Sequence, residues 1–273
     1  MNIPDLVKKV QSSIVHIVYV KVEEKVGADP KKKKVGSGTG FILDGYLVTN
    51  NHVIQTPQDT HFLLRFYDSD PSNLSDGLLY KNSDFMSFLK TGSEENAYDF
   101  AVFEIPKLRA RESNHLKFGN PDAMCQGDDI VFLGYPLEHN NLVVHKGIIS
   151  SFFKSGYAET EMIQIDASVN QSNSGGPLLD PSTGNVIGII SRKATGLSKV
   201  FEELNEVFDK NIKAMEGAKS MMSLGGLDPV EALTAGQNQM KTLCKEIQRS
   251  ANVGIGYAIS IKHLSNDNLF YSE

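Results

Sequence analysis

The chain has 273 residues, enough for one large domain or two small ones sharing an interface. Hydrophobic residues make up 40% of it, which supplies real cores and excludes a disordered chain. The formal net charge of −6 argues against a nucleic-acid partner, because neutralising phosphates needs a clustered basic surface.

The first residues, MNIPDLVKKVQSS, carry neither an apolar central region nor a small-residue cleavage site, so no signal peptide is expected. From Ser13 onward short, β-branched apolar runs follow one another: IVHIVYVKV (14–22), GFIL (40–43), YLVTN (46–50), HFLLRFY (61–67) and FAVFEI (100–105). Between the first two, the lysines at 31–34 read as a solvated loop. The series continues with DIVFLGY (129–135), NLVVHKGIIS (141–150), MIQIDASV (162–169), NVIGIIS (185–191) and VGIGYAISI (253–261). Gly, Pro, Asn and Asp bound most of the runs, as turns do. No helices alternate with them, so the pattern predicts an all-β sandwich or barrel rather than a parallel sheet.

One stretch departs from this. Leu197, Val200, Phe201, Leu204, Val207, Phe208, Ile212 and Met215 recur at steps of three and four, predicting an amphipathic helix. Gly225-Gly226 interrupts it, and Asp228-Pro229-Val230-Glu231 reads as the N-cap, first-turn proline and capping-box acid of a second helix. That helix carries Val230, Leu233, Met240, Leu243 and Ile247 on one face. With Asn120-Pro121 dividing the strands, the expected parts are 1–119 and 120–196 as β units, 197–251 as a helical hairpin and 252–273 as a closing strand and tail. No apolar stretch reaches the roughly 20 residues of a membrane helix, so no membrane partner is expected. Only Cys125 and Cys244 occur; with no disulfide framework, a reducing, cytoplasmic setting is the expectation.

Three local patterns carry chemistry. Asn173-Ser174-Gly175-Gly176-Pro177 sets a serine between small residues at a strand-to-strand turn. A serine hydroxyl needs a base to take its proton and backbone N–H groups aimed at the oxyanion its attack creates. Thr49-Asn50-Asn51-His52 puts a histidine just past an apolar strand, and Tyr98-Asp99-Phe100 puts an acid at the mouth of another. Each alone has a commonplace reading: a glycine turn, a structural histidine, a turn aspartate. Together they compose a base, an acid and a nucleophile. No metal constellation appears, and GSGTG (36–40) lacks the Lys-Ser/Thr pair of a phosphate loop, so no cofactor is expected.

The blocks GSGTGFIL, LVTNNHVI, YDFAVFEI, NQSNSGGPLL, VIGIISRK and GIGYAIS resemble, in order, those of HtrA/Deg-type trypsin-like serine proteases. The resemblance implies two six-stranded antiparallel β-barrels with the active site in the crevice between them, the helical hairpin being inserted in the second. It implies His52 as base, Asp99 as the acid orienting it, Ser174 as nucleophile, and the N–H groups of Ser172 and Ser174 as oxyanion hole. It assigns Ser168 to the specificity-pocket floor, Ile190 to its wall, and the strand 191–193, beginning at Ser191, to its lining. An uncharged Ser168 disfavours a Lys or Arg preference, Ile190 favours a small or medium apolar side chain, and Arg192 and Lys193 would draw acidic residues. A protein or peptide substrate is the implied partner.

Two departures matter. Ser172 stands where the family usually has glycine, so the hole is expected to form poorly at rest, giving a latent enzyme that a partner switches on. About a dozen residues follow GIGYAIS, so a PDZ domain is not expected, and residues 197–251 become the candidate contact for a regulatory protein. The competing reading is a catalytically silent protease-fold module acting through that hairpin.

Overall fold

The computed structural model describes every residue except 26–27, 71, 110–115, 137–139, 157, 192–195, 217–228, 252–253 and 271–273. It divides into two compact units, residues 1–192 with 254–273, and residues 193–253.

The larger unit opens with α1 (Ile3–Val10), which the sequence reading had not marked. Asn2 caps it by accepting from Asp5 N–H at 2.9 Å, and Leu6 and Val10 are its buried face. Seven antiparallel strands follow: β1 (Ile14–Lys25), β2 (Ala28–Leu43), β3 (Tyr46–Thr49), β4 (His61–Arg65), β5 (Leu78–Lys81), β6 (Leu89–Ser93) and β7 (Phe100–Phe103). They form one sheet in the order β5-β4-β1-β2-β3-β7-β6. The second set, β8 (Asp129–Gly134), β9 (Val143–Ser155), β10 (Thr160–Asp166), β11 (Pro177–Leu179), β12 (Val186–Ser191) and β13 (Ile255–Ser260), closes into a six-stranded barrel. The two-barrel, all-β architecture is thus as the sequence leads one to expect, except that the first barrel is a half-barrel sheet of seven strands in place of a closed one of six.

Strand alternation explains why these runs are apolar without interruption. Neighbouring side chains point to opposite faces, and here both faces are buried. Ile42, Leu47, Phe62 and Phe103 fill the first sheet's interior, and Ile130, Phe132, Ile165 and Ile190 fill the second. Their neighbours Phe41, Val48, Val131 and Ile189 join a third cluster shared by both barrels.

The lysines at 31–34 correct the loop reading. They lie in β2, paired with β1 from Glu23↔Lys31 to Val20↔Lys34. Exposure alternates along them as on a strand, with Lys32 donating to Ser75 Oγ at 3.2 Å. Lysine stems cover strand surface while their heads stay in water, so a charge run need not be a loop.

The larger unit also carries the short helices α2 (Asn51–Ile54), α3 (Asn82–Met86) and α4 (Pro106–Arg109), and the smaller unit contains α5 (Gly196–Glu216) and α6 (Pro229–Ala251), the two helices predicted from periodicity. Pro229 opens α6 as expected; Gly225, Gly226 and the predicted cap Asp228 lie outside the described residues.

Candidate active site

His52 sits in a single helical turn, α2 (Asn51–Ile54), directly after β3. Val53 and Ile54 are buried against the first core, which anchors the turn and leaves the His52 side chain 24% exposed. Asp99 precedes β7 and is only 4% exposed. Its φ of 44° is left-handed, a region Asp tolerates better than most residues. The Asn50 side chain holds that backbone by donating to Asp99 O at 2.8 Å.

The carboxylate is fully engaged. His52 Nδ1 lies 2.8 Å from Asp99 Oδ2, the His52 backbone N–H donates to Oδ1 at 3.0 Å, and Ser191 Oγ donates to Oδ2 at 3.1 Å. A carboxylate only accepts, so the proton of a neutral His52 resides on Nδ1 and the lone pair on Nε2. Ser191, expected in the pocket lining, turns its hydroxyl to Asp99 and is 2% exposed.

Ser174 reaches the same place through its neighbours. Gly175 N–H donates to Ile190 O at 2.8 Å, one residue before Ser191, and Ser174 O accepts from Thr39 N–H at 2.9 Å. At Gly175, with φ of 85°, a β-carbon would collide with Thr39 O and Thr49 Oγ1 and come within 3.2 Å of Asn50 N. Only glycine allows the serine turn to close on the loop that leads to His52. Among the described residues, no hydrogen bond joins Ser174 Oγ to His52.

Residues 170–173 form the remaining wall. Asn173 N–H donates to Asn170 O at 3.1 Å and Ser172 has φ of 73°, the signature of a type II turn with its third residue left-handed. Asn173 spends its N–H inside the turn and Gly175 spends its own on Ile190 O, whereas those of Ser172 and Ser174 donate to no backbone or side-chain acceptor among the described residues. Two alternating N–H groups are thus free beside the serine. Ser172 is held from β2: Thr39 Oγ1 donates to Ser172 O at 2.7 Å, and Ser37 Oγ lies 3.3 Å from Ser172 Oγ. Sequence reasoning missed Ser37 and Thr39. Their signal was two hydroxyls at i and i+2 separated by glycine in GSGTG, which alternation puts on one face of the strand.

Ser168 carries no charge and accepts from Gly254 N–H at 3.2 Å, tying it to the entry of β13. Ile190, expected on the pocket wall, is fully buried among the apolar residues of the second barrel. Arg192 and Lys193 lie outside the described residues. A cavity of about 900 Å³ between α1 and the turn at 180–185 contains none of these groups.

Residues 38–189, more than half of the chain, match the family described as trypsin-like peptidase domain. A probable periplasmic serine endoprotease DegP-like of Chlamydia pneumoniae is 34% identical over 61% of this chain and 31% of its own length. Protease Do-like 5, chloroplastic, of Arabidopsis thaliana is 30% identical over 71% of this chain and 62% of its own. The chain therefore spans about a third to under two thirds of the length of these relatives. Among solved structures, the HtrA-type protease AlgW with decapeptide superposes over 96% of this chain and 65% of that one, with TM-score 0.55 at 19% identity, a likeness of fold. The chain belongs to the trypsin-like peptidase family, and within it to the HtrA-like serine proteases.

Proposed function

We propose that the chain is a serine endopeptidase acting on protein substrates through an acyl-enzyme formed on Ser174. His52 Nε2 takes the hydroxyl proton as Oγ attacks the scissile carbonyl, then returns it to the leaving amine. Asp99 fixes the ring and stabilises the imidazolium, with Ser191 and the His52 N–H holding the carboxylate in turn. The developing oxyanion is received by the N–H groups of Ser172 and Ser174. Water then attacks the ester by the same path in reverse. The observation that carries this reading is the pair of unspent N–H groups beside Ser174, next to a histidine oriented by a buried carboxylate.

The reading extends to latency. Ser172 takes the left-handed φ that suits glycine, at a cost of about 1–2 kcal/mol for an L-residue. Its alternative is the type I turn, reached by flipping the 171–172 peptide and turning the Ser172 N–H out of the hole. A partner or substrate that favours the left-handed turn would then activate the enzyme. The lack of a hydrogen bond from Ser174 Oγ to His52 favours the second reading, a silent binding module, and also suits an enzyme at rest. A peptide or protein occupies the crevice in either case, and AlgW is described with a decapeptide. A reducing, intracellular setting rests on two free cysteines, Cys125 and Cys244, while the relatives above are named periplasmic and chloroplastic. The test is cleavage of an unfolded protein such as casein, abolished by Ser174→Ala with the fold intact. Equal cleavage by the Ala variant would refute the enzyme.

A further inference from the structure

A second histidine stands beside the nucleophile turn, and the mechanism above leaves it unused. Asn173, directly before Ser174, is 0% exposed, and its side chain enters the second barrel at the end of β8. A β-carbon at Gly134 would lie 2.6 Å from Asn173 Oδ1, so only glycine leaves room for that amide. Asn173 Nδ2 lies 3.4 Å from His145 Nε2. Among the described residues Oδ1 has no hydrogen-bond partner, so His145 is the polar anchor of this buried amide.

His145 is itself held in one orientation. It pairs across the ladder with Phe132 of β8 and stacks on that ring, with centroids 4.4 Å apart and planes 10° from parallel. The charged neighbours turn elsewhere: Lys146 lies on the opposite face of β9 and pairs with Asp129 of β8 at 2.9 Å. With β8 presenting Phe132 and the turn presenting Asn173, burial is what holds the His145 pKa below the usual 6.5.

The amide N–H₂ of Asn173 only donates, so His145 accepts through an Nε2 lone pair and carries its proton on Nδ1. On the backbone side, Asn173 N–H donates to Asn170 O and Asn173 O accepts from Gly176 N–H, both at 3.1 Å. The side chain is the third hold on this residue. The peptide between 173 and 174 carries the Ser174 N–H, one of the two unspent donors, so what fixes Asn173 fixes the direction of that donor. We propose that His145 is a positioning residue for the nucleophile turn, aiming the Ser174 N–H into the oxyanion hole through its contact with Asn173. This role rests on the endopeptidase reading above. A protonated His145 would set Nε2–H against the amide N–H₂, donor against donor. The hold is therefore present while His145 is neutral and is lost on acidification.

Two variants separate this role from packing. His145→Gln keeps an acceptor within reach of Asn173 and takes up no proton, whereas His145→Leu keeps only the contact with Phe132. At neutral pH His145→Leu should lower kcat about tenfold with KM little changed, and His145→Gln should stay within about twofold of wild type. On acidification the wild-type kcat/KM should fall up to about tenfold further than that of His145→Gln, in which His52 titrates alone. Equal losses in the two variants would make His145 a packing residue and overturn the proposal, as would a wild-type kcat in His145→Leu. Magnetic resonance of the isotope-labelled full chain gives a readout that needs no turnover. The Ser174 backbone amide and the Asn173 side-chain amide should shift with pH by a step that His145→Gln removes. Shifts that titrate alike in both chains overturn the proposal. A chain that cleaves nothing would sink the endopeptidase reading, and these spectra would still decide whether His145 governs the turn.

Discussion

Asp99 makes contacts with three separate groups at once, and its chemistry depends on all of them. Asn at this position would keep the size but present an N–H₂ donor to a partner that must itself donate, forcing the wrong histidine tautomer. Asp99→Asn is expected to lower kcat about 10,000-fold on a peptide substrate, whereas a near-silent effect would mean that another acid serves His52. At Ser172 the expectation has the opposite sign. Glycine occupies the left-handed region freely, so Ser172→Gly should raise basal turnover up to roughly tenfold, the rate equivalent of the relieved strain. A rate that stays level or drops would remove the case for latency.

Strand β2 links these residues. Thr39 donates from Oγ1 to Ser172 O, accepts from Tyr135 N–H at 3.1 Å, and donates its own N–H to Ser174 O. One threonine thus joins the oxyanion turn, the nucleophile and the second barrel. Thr39→Val should cut kcat about tenfold with KM little changed, and Thr39→Ser should recover most of it, because only the hydroxyl matters. Full activity in the valine variant would make Thr39 a packing residue. The strands buried on both faces were legible, since long apolar runs bounded by turn residues have few other meanings. The short strands β5, β6 and β11 were not, because three to five residues such as LKTGS carry no period. His52, Asp99 and Ser174 stood out through their local motifs. Ser191 as a partner of Asp99, and Thr39 as a partner of Ser172, did not, because those contacts join residues 92 and 133 positions apart.

At the level of the whole molecule, the two barrels meet around a buried histidine. His16 of β1 stacks on Tyr135, which follows β8, with ring centroids 4.3 Å apart and planes 7° from parallel. It is 1% exposed, and among the described residues neither ring nitrogen has a hydrogen-bond partner. Burial above all, and then the charges of Lys34 and Arg65, hold its pKa well below the usual 6.5. The folded chain therefore keeps His16 neutral while the unfolded chain takes a proton as pH drops below 6.5. Stability is fully present above that pH and is lost on acidification, by up to about 1.4 kcal/mol per pH unit for one such proton. His145, whose pKa burial also lowers, adds in the same direction. Urea midpoints at about pH 7.5 and 5.5 should differ less in His16→Phe than in the wild type; an unchanged difference would take His16 out of the linkage.

The proposed activity requires the Ser174 hydroxyl to be a nucleophile. A fluorophosphonate reacts only with a serine whose proton a neighbouring base removes and whose adduct an oxyanion hole receives. Intact mass followed by peptide mapping should find one adduct, on Ser174, formed faster in Ser172→Gly and absent from Ser174→Ala. An unlabelled Ser174 in both the wild-type chain and Ser172→Gly, with substrate peptide present or absent, would contradict it.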